Sequence, residues 1–469
     1  MLKENEGKEE SFRDSIATIN EQGKRAWIYA QKPKGKLYNL RSIFSWVYLI
    51  VFFTLPLIKF HGDPLFLINI LERKFILFGV IFWPQDTFIF VLGMLTFIVF
   101  IIVFTVIFGR IFCGWACPQT IFLEMVFRKI EYWIEGDASH QKALNKLPWN
   151  AEKIRKKGLK ILVFFFVSFL IANTFLSYII GFDELKKIIL EPISESKGTL
   201  ISLLIFTSVF FFVYSWFREQ VCIVACPYGR LQGVLLDKNS IVVAYDYLRG
   251  EPRAKFKKSE TRTKGDCIDC HQCVKVCPTG IDIRNGTQLE CVNCTACIDV
   301  CDSMMKNVGL PTGLIRYDSE NGIANKQKLK ITPRIIAYSA VLLVLIGILA
   351  TLLLTRSDVE TTILRTPGML YQEQPNNHIS NLYNIKLVNK TRFELPITLK
   401  IESDSGEIKM VGNDKILVDK GNIASSEFFI ILDRNQIKKS KTKLEIGVYS
   451  GGKKIETVST SFMGPISAN

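Results

Sequence analysis

Long apolar runs set the plan of this chain. Residues 43–60, 88–108, 159–180, 200–217 and 335–354 are each apolar over about the 20 residues that a helix needs to cross a hydrocarbon core. The first is the least clean, since Pro56 and Lys59 sit near its end, where a kink and a snorkelling ammonium are tolerated. Residues 75–83 are apolar but too short to span, which predicts an interfacial or re-entrant segment. The first thirty-odd residues are polar and charged, without the apolar core and cleavage site of a secretory signal. From about residue 373 the pattern changes to alternation over 383–388, 395–401, 416–419, 426–432 and 442–450. Turn signals at Asn413-Asp414 and Gly451-Gly452 complete the pattern of a β-sandwich.

Composition agrees with a membrane protein of two or three domains: 48% of the 469 residues are hydrophobic, 34 are Phe, and only 22% are charged. The net charge of +15 would suit nucleic acid if it were spread over a soluble surface. It is not. Lys24, Arg25, Lys32, Lys34, Lys36 and Arg41 precede the first span. Arg110, Arg128, Lys129, Lys153, Arg155, Lys156, Lys157 and Lys160 lie between the second and third, and Arg218, Arg230 and a further basic set between the fourth and fifth. The other two loops hold Arg73 and Lys74, or Lys186, Lys187 and Lys197 offset by Asp183, Glu184, Glu191 and Glu195. Positive residues flank the cytoplasmic ends of spans, so the amino terminus is expected inside and the tail from about residue 355 outside. The expected partner of the charge is the membrane, not nucleic acid.

The predicted architecture is a multidomain membrane protein with five transmembrane helices. A cytoplasmic segment (1–40) leads into a four-helix membrane domain (41–217), a cytoplasmic segment with a two-cluster ferredoxin-type module (218–334), the fifth helix (335–354) and an extracytoplasmic β-sandwich (355–469).

All twelve cysteines fall between Cys113 and Cys301, and clustered thiols point to metal rather than to a disulfide scaffold. Eight form two runs, Cys267-x2-Cys270-x2-Cys273-x3-Cys277-Pro278 and Cys291-x2-Cys294-x2-Cys297-x3-Cys301. This is bacterial ferredoxin spacing, in which three thiolates wrap one face of a [4Fe-4S] cluster and the fourth reaches the neighbouring cluster. The expected ligand sets are crossed: Cys267, Cys270, Cys273 and Cys301 for one cluster, Cys277, Cys291, Cys294 and Cys297 for the other. Asp302 stands where the pattern usually has Pro. Zinc would also use paired cysteines, but not in two such runs. Cys267-Ile268-Asp269-Cys270-His271 matches the c-type haem attachment pattern by chance, since its thiols belong to the ferredoxin run and the segment is expected inside.

The other four cysteines form matched motifs, Cys113-Gly114-Trp115-Ala116-Cys117-Pro118 and Cys222-Ile223-Val224-Ala225-Cys226-Pro227. Each follows a pair of spans, which reads as an internal duplication bringing the two motifs side by side. Pro suits the first position of a helix, so Cys117 and Cys226 are expected at helix starts, with apolar residues at helical spacing continuing to Ile134. Free N–H groups there, with Arg110 and Arg218 near in sequence, predict lowered thiol pKa values. Polarisable thiolates favour Cu(I) over the harder divalent ions. The bland alternative is four small buried apolar residues.

At these residues the sequence resembles the cytochrome c oxidase accessory protein family, the FixG/RdxA/CcoG-type membrane polyferredoxins of cbb-type oxidase assembly. The likeness runs through Phe82-Trp83-Pro84-Gln85-Asp86, Gly109-Arg110, both C-x3-C-P motifs with Gln119-Thr120 and Ile134-Glu135-Gly136, Arg218-Glu219-Gln220-Val221, Tyr228, and Arg249-Gly250-Glu251-Pro252-Arg253. It continues through both ferredoxin runs to Ile379-Ser380-Asn381-Leu382-Tyr383 and Leu387-Val388-Asn389-Lys390-Thr391. The resemblance implies an inner-membrane protein with an immunoglobulin-like periplasmic domain. It further implies two [4Fe-4S] clusters and reduction of Cu(II) to Cu(I) by an oxidoreductase, with Cys113, Cys117, Cys222 and Cys226 handling copper as catalytic and metal-binding thiols. Oxidase subunits or copper chaperones are the implied partners, with docking to the sandwich; the electron donor and self-association into a homo-oligomer stay open. Two other readings are a quinol-linked electron carrier and a non-catalytic copper-carrying assembly factor. The fifth span and sandwich weigh against the first, the pair of clusters against the second. Met304 and Met305 could offer thioether ligands to copper but are expected to pack against a cluster; His61 and His140 are expected to be surface or interface residues and His271 a polar loop residue, and the sandwich, with no Cys and only His378, is not expected to carry chemistry.

Overall fold

A computed structural model describes residues 18–465, apart from 20–21, 23, 71–73, 79, 84–85, 191–196, 257–261, 327–330, 369, 392, 404–405, 413–415 and 438. Pro84-Gln85 and the Asn413-Asp414 turn therefore lie outside the described residues, as do Arg73, Glu191 and Glu195. The chain divides into two compact units, Met1–Ile58 with Leu92–Ile346, and Lys59–Val91 with Gly347–Asn469. Residues 59–91, assigned from the sequence to the membrane domain, thus cluster with the sandwich.

The helices used below are α1 (Lys36–Thr54), α2 (Thr87–Phe108), α3 (Arg128–Ile134), α4 (Ala151–Ile180), α5 (Lys197–Phe212), α6 (Pro227–Leu235), α7 (Ala296–Asn307) and α8 (Pro333–Leu354). Five segments are long and apolar enough to cross a membrane: Lys36–Leu57, Thr87–Phe108, Ala151–Ile180, Gly198–Phe217 and Pro333–Leu354. They correspond to the five apolar runs, with one shortened. Pro56 lies in a 3-10 turn, Leu55–Leu57, and Lys59–Phe60 is a short strand, so Lys59 falls beyond the helix. Helix α4 starts where Asn150 accepts a hydrogen bond from the Lys153 N–H at 2.8 Å, and stops at Gly181, whose φ of +88° is open to glycine.

In the first unit a lattice of buried charges joins the two halves of the duplication. Arg218, at the end of the fourth span, places Nη1 2.6 Å from Glu131 on α3, and Lys160 on α4 approaches the same carboxylate at 2.7 Å. Arg128 adds contacts to Glu124 at 3.3 Å and Glu219 at 3.7 Å. Burial alone would raise the Glu131 pKa, but Arg218 and Lys160 overcome it and hold the carboxyl down to about 2.

Residues 24–38, the polar N-terminal arm and the helix start that follows it, lace this unit together. The guanidinium groups of Arg25 and Arg218 both lie over the Trp27 ring, at 4.7 and 4.9 Å from its centre, and Arg25 reaches Glu219 at 3.3 Å. Further on, Ala30 accepts from the Tyr132 hydroxyl, the Gln31 N–H reaches the Lys275 carbonyl, and the Lys32 N–H reaches Asp137. The Asp299 carboxylate on α7 then accepts from the N–H groups of Leu37 and Tyr38 at 3.1 and 2.7 Å, capping α1 from the ferredoxin module.

In the second unit, Phe66–Asn69, Lys74–Leu77 and Val80–Phe82 form an antiparallel meander. The 75–83 run is therefore strand rather than re-entrant segment, its alternate residues Ile76 and Ile81 buried. Asp86, buried beside the meander, pairs with Arg356 at 2.6 Å and Lys390 at 2.7 Å. The sandwich strands are β1 (Val359–Arg365), β2 (Gln372–Gln374), β3 (His378–Asn389), β4 (Leu395–Ile401), β5 (Gly406–Met410), β6 (Ile416–Val418), β7 (Ile423–Asp433), β8 (Lys441–Ser450) and β9 (Lys453–Met463). One sheet runs β5-β7-β3-β1 with β2 beside β3, and the other β6-β4-β8-β9. Tyr383, Ile385, Leu387, Phe428, Ile430, Leu444, Ile446 and Phe462 fill the core between them. The first strand starts at Val359, inside the 355–469 stretch assigned to the sandwich, but β1, β2, β5 and β9 were not read from the alternation: β5 and β9 are rich in charged and hydroxyl residues that mask it. Gly451 and Gly452, at φ +55° and +80°, make the β8–β9 turn.

Two buried asparagines lock this sandwich. Asn381 exchanges two hydrogen bonds with the Met463 backbone, at 2.8 and 3.0 Å, and Tyr383 donates to the Ser461 carbonyl. Asn389 donates to the carbonyls of Phe393, Val418 and Asp419 and accepts from Thr391. Asn389→Ala leaves these carbonyls unpaired and should cost about 2 kcal/mol, read as a lower thermal midpoint for the sandwich. Glu131→Gln should cost the first unit about 3 kcal/mol because it strands Arg218. Glu131 has a depressed folded pKa, so its stabilisation is complete above about 4.5 and lost as pH falls toward about 2; unfolding in detergent against pH should show that slope in wild type and not in the variant.

Candidate functional site

The ferredoxin runs fold into two cysteine-lined cavities. One, of about 340 Å³, is lined by Cys277, Cys291, Cys294 and Cys297, with Cys273 at its edge and Val243, Ile281 and Ile283 as apolar wall. The other, of about 360 Å³, is lined by Cys267, Cys270, Cys273 and Cys301, with Tyr245, Met305, Leu314 and Ile315. Each cavity gathers one crossed set, because α7 carries Cys297 and Cys301 on successive turns and so delivers one thiol to each side. His271 and Thr295, with φ of +55° and +66°, stand at the turns that bend each run around its cavity. Among the described residues no three Cys, His, Asp or Glu side chains converge tightly enough to share one ion, at the ferredoxin runs or at the C-x3-C-P motifs, so either set would close further on binding metal. The thiols are spread around each wall, as a four-iron cube requires and a single zinc does not. Burial pushes the thiols of Cys273, Cys291 and Cys301 up to about 12, so ligation releases protons. The donor set fits a [4Fe-4S] cluster in each cavity.

Cys117 and Cys226 occupy equivalent places. Each is the extended residue before a helix whose first position is proline, Pro118 or Pro227, and Cys226 Sγ accepts from the Gly229 N–H at 3.4 Å. Single-turn π-helical segments flank both motifs, at Ile121–Phe127 and at Val213–Phe217 and Val221–Ala225, a distortion often found at functional sites. The motifs come together: Cys113 lies within electrostatic reach of Cys117 and Cys226, and Cys222 within reach of all three of the others. The expected lowering of thiol pKa is not found at Cys113 and Cys222. Burial outweighs Arg110 and pushes Cys113 up to about 11, and burial with the neighbouring thiols pushes Cys222 up to about 12. Arg218 does not assist, since it is committed to Glu131, Glu219 and Trp27.

The first thiol motif lies directly against the second ferredoxin run. A Cβ added at Gly114 would sit 2.4 Å from the Val292 carbonyl oxygen and 2.8 Å from that of Asn293. Trp115 Nε1 donates to the Tyr317 hydroxyl at 3.1 Å, and that hydroxyl donates to the Asn293 carbonyl at 3.2 Å. Glycine within C-G-W-A-C is thus required by close approach of two backbones. At the other cavity, His271 is half exposed and lies between Arg284, at 2.8 Å, and Asp269, at 3.2 Å. Met305 is buried in that cavity wall, and His61 and His140 are exposed.

Comparison with known proteins decides the family. The chain is 33% identical over 390 residues to protein RdxB of Cereibacter sphaeroides, covering 78% of this chain and 80% of that one. It belongs to the FixG/RdxA family. RdxA of the same organism is 36% identical over 354 residues, covering 73% and 74% of the two chains, and nitrogen fixation protein FixG of Rhizobium meliloti is 31% identical over 420 residues, covering 81% and 80%. Within the FixG/RdxA chain, a 4Fe-4S dicluster domain matches residues 217–320 and the IG-like fold at the C-terminus of FixG matches 349–465. A 4Fe-4S binding domain matches 90–136, a stretch whose cysteines are Cys113 and Cys117. The protein is therefore a membrane iron-sulfur protein of an oxidoreductase family, with an Ig-like domain after its last span.

Sequence reasoning missed the contact residues Gln232, Asn293 and Tyr317, which carry no motif; only the fold brings them to the thiols. The crossed sets predict that Cys301→Ser removes about four of roughly eight irons and perturbs the cluster of Cys267, Cys270 and Cys273. Iron analysis with EPR of the reduced protein should leave the other cluster's signal in place.

Proposed function

We propose that this protein reduces Cu(II) to Cu(I) at the paired C-x3-C-P thiols, in support of cbb-type cytochrome c oxidase assembly. Bound [4Fe-4S] clusters would supply the single electron that each copper ion takes up. The observation that carries the reading is the approach of thiols from both halves, Cys113 and Cys117 to Cys222 and Cys226, with the first motif packed through Gly114 on the backbone of the Cys291–Cys294 loop. The residues divide the work. Cys113, Cys117, Cys222 and Cys226 would bind copper, since polarisable sulfur stabilises the reduced ion. Gly114 keeps the first motif against Asn293, and the Arg218–Glu131 lattice holds the second motif to the first. The Lys and Arg distribution supports placing both on the cytoplasmic side of the inner membrane, with the Ig-like domain in the periplasm. That domain would dock an oxidase subunit or copper chaperone.

The match of residues 90–136 to a 4Fe-4S binding domain favours a second reading, in which the same four thiols hold a third cluster. Iron content separates the two, at about eight against about twelve irons per chain. Under the copper reading, anaerobically reduced protein should oxidise on adding Cu(II) and release Cu(I) to a chromophoric chelator in matching amount. Cys113→Ala with Cys222→Ala should keep the cluster absorbance and lose at least nine-tenths of that yield, an order-of-magnitude loss of roughly 1.4 kcal/mol or more. An undiminished yield rejects the paired-thiol site.

A further inference from the structure

Gln232 on α6 is completely buried, and no sequence motif marks it. Its Oε1 lies 3.0 Å from Cys113 Sγ and accepts the thiol proton, while Arg110 Nε donates to the same oxygen, also at 3.0 Å. Its Nε2 lies toward the Tyr228 hydroxyl without closing a full hydrogen bond. A buried amide held firmly only through its oxygen is costly for a residue that only fills space. Two features give it a chemical task. It comes from the second half of the duplication yet touches the first thiol of the first half, and its oxygen is a hard donor at the edge of a sulfur site.

We propose that Gln232 Oε1 is a ligand for the oxidised ion at the thiol site, completing with Cys113 Sγ a mixed oxygen–sulfur position that Cu(II) occupies and Cu(I) leaves for sulfur alone. This rests on the copper reading above. Cu(II) prefers tetragonal coordination, in which neighbouring donors subtend about a right angle at the metal. With a metal–sulfur bond of about 2.3 Å and a metal–oxygen bond of about 2.1 Å, donors so placed are about 3.1 Å apart. The Sγ to Oε1 separation matches that edge before any ion arrives. On binding, the Cys113 S–H bond breaks, its proton goes to solvent, a sulfur–copper bond forms and Oε1 exchanges its S–H hydrogen bond for the metal. Uptake of one electron gives Cu(I), a soft ion that favours the remaining thiolates over an amide oxygen. Gln232 thereby selects the substrate and is released with the product, while Arg110 holds its oxygen in place.

The test uses full-length protein in detergent with its clusters assembled and oxidised. Co(II) serves as a divalent probe that thiols do not reduce, and Cu(I) is delivered by competition with a chromophoric chelator. Gln232→Leu should weaken Co(II) binding about tenfold or more and change its d–d spectrum toward an all-sulfur pattern, with Cu(I) affinity altered less than about twofold. Gln232→Glu keeps an oxygen at the position and should bind Co(II) at least as tightly as wild type; should the leucine variant fail to assemble, this variant decides. Equal Co(II) affinity and spectrum in wild type and Gln232→Leu, or weakening by Gln232→Glu, overturns the proposal and leaves the thiol site standing. A parallel loss of Co(II) and Cu(I) overturns it too and assigns Gln232 a purely structural role. Wild type that binds neither ion brings down the copper reading along with it.

Discussion

The Arg218–Glu131 pair, buried at 2.6 Å between the two halves of the duplicated unit, is the constraint on which the thiol site depends. Charges out of water are tolerated only when their partners are fixed, and here the fixing is reciprocal. Glu131 binds Arg218 and Lys160, Glu219 binds Arg25 and Arg128, and the guanidinium groups of Arg25 and Arg218 both lie over Trp27. Helices that would otherwise slide in lipid are thereby held in one register at the point where Cys117 and Cys226 begin theirs. Without that register, thiols from separate halves would not approach one another, and neither half alone supplies more than two.

The ferredoxin module is fixed to this lattice by small contacts rather than by a broad apolar face. Asp299 caps the first membrane helix, Gly114 lets the first motif rest on Asn293, and Tyr317 bridges Trp115 to the same loop. The cluster ligands and these anchors are interleaved along the chain, so the cofactor-binding loops and the membrane helices cannot shift independently. The geometry separates two roles that the sequence runs together: cysteines spread around a cavity for a multi-iron group, and cysteines paired at helix starts with an amide oxygen beside them.

Much of this was legible in the residues. Apolar runs gave five spans because crossing a bilayer imposes a length that few other structures share. The crossed cavities followed from the three-residue spacing before Cys277 and Cys301, which puts the fourth thiol on the far side of a turn. What escaped has physical reasons. The strands Gly406–Met410 and Lys453–Met463 bear polar residues where an edge faces solvent, so alternation was weak. Cys113 and Cys222 are raised rather than lowered, because nearness of arginines in sequence says nothing of burial and because Arg218 turns toward Glu131. The packing of the N-terminal arm was hidden by its polarity: its backbone, not its side-chain pattern, makes the contacts at Ala30, Gln31 and Lys32.

Sulfur from both halves converging on one ion is the claim from which the rest follows. Copper K-edge X-ray absorption of the Cu(I)-loaded protein measures it directly. The account predicts a sulfur-dominated first shell that loses scattering when Cys113 is replaced and also when Cys222 is replaced. A shell of nitrogen and oxygen alone, or one indifferent to the cysteine of either half, would contradict it.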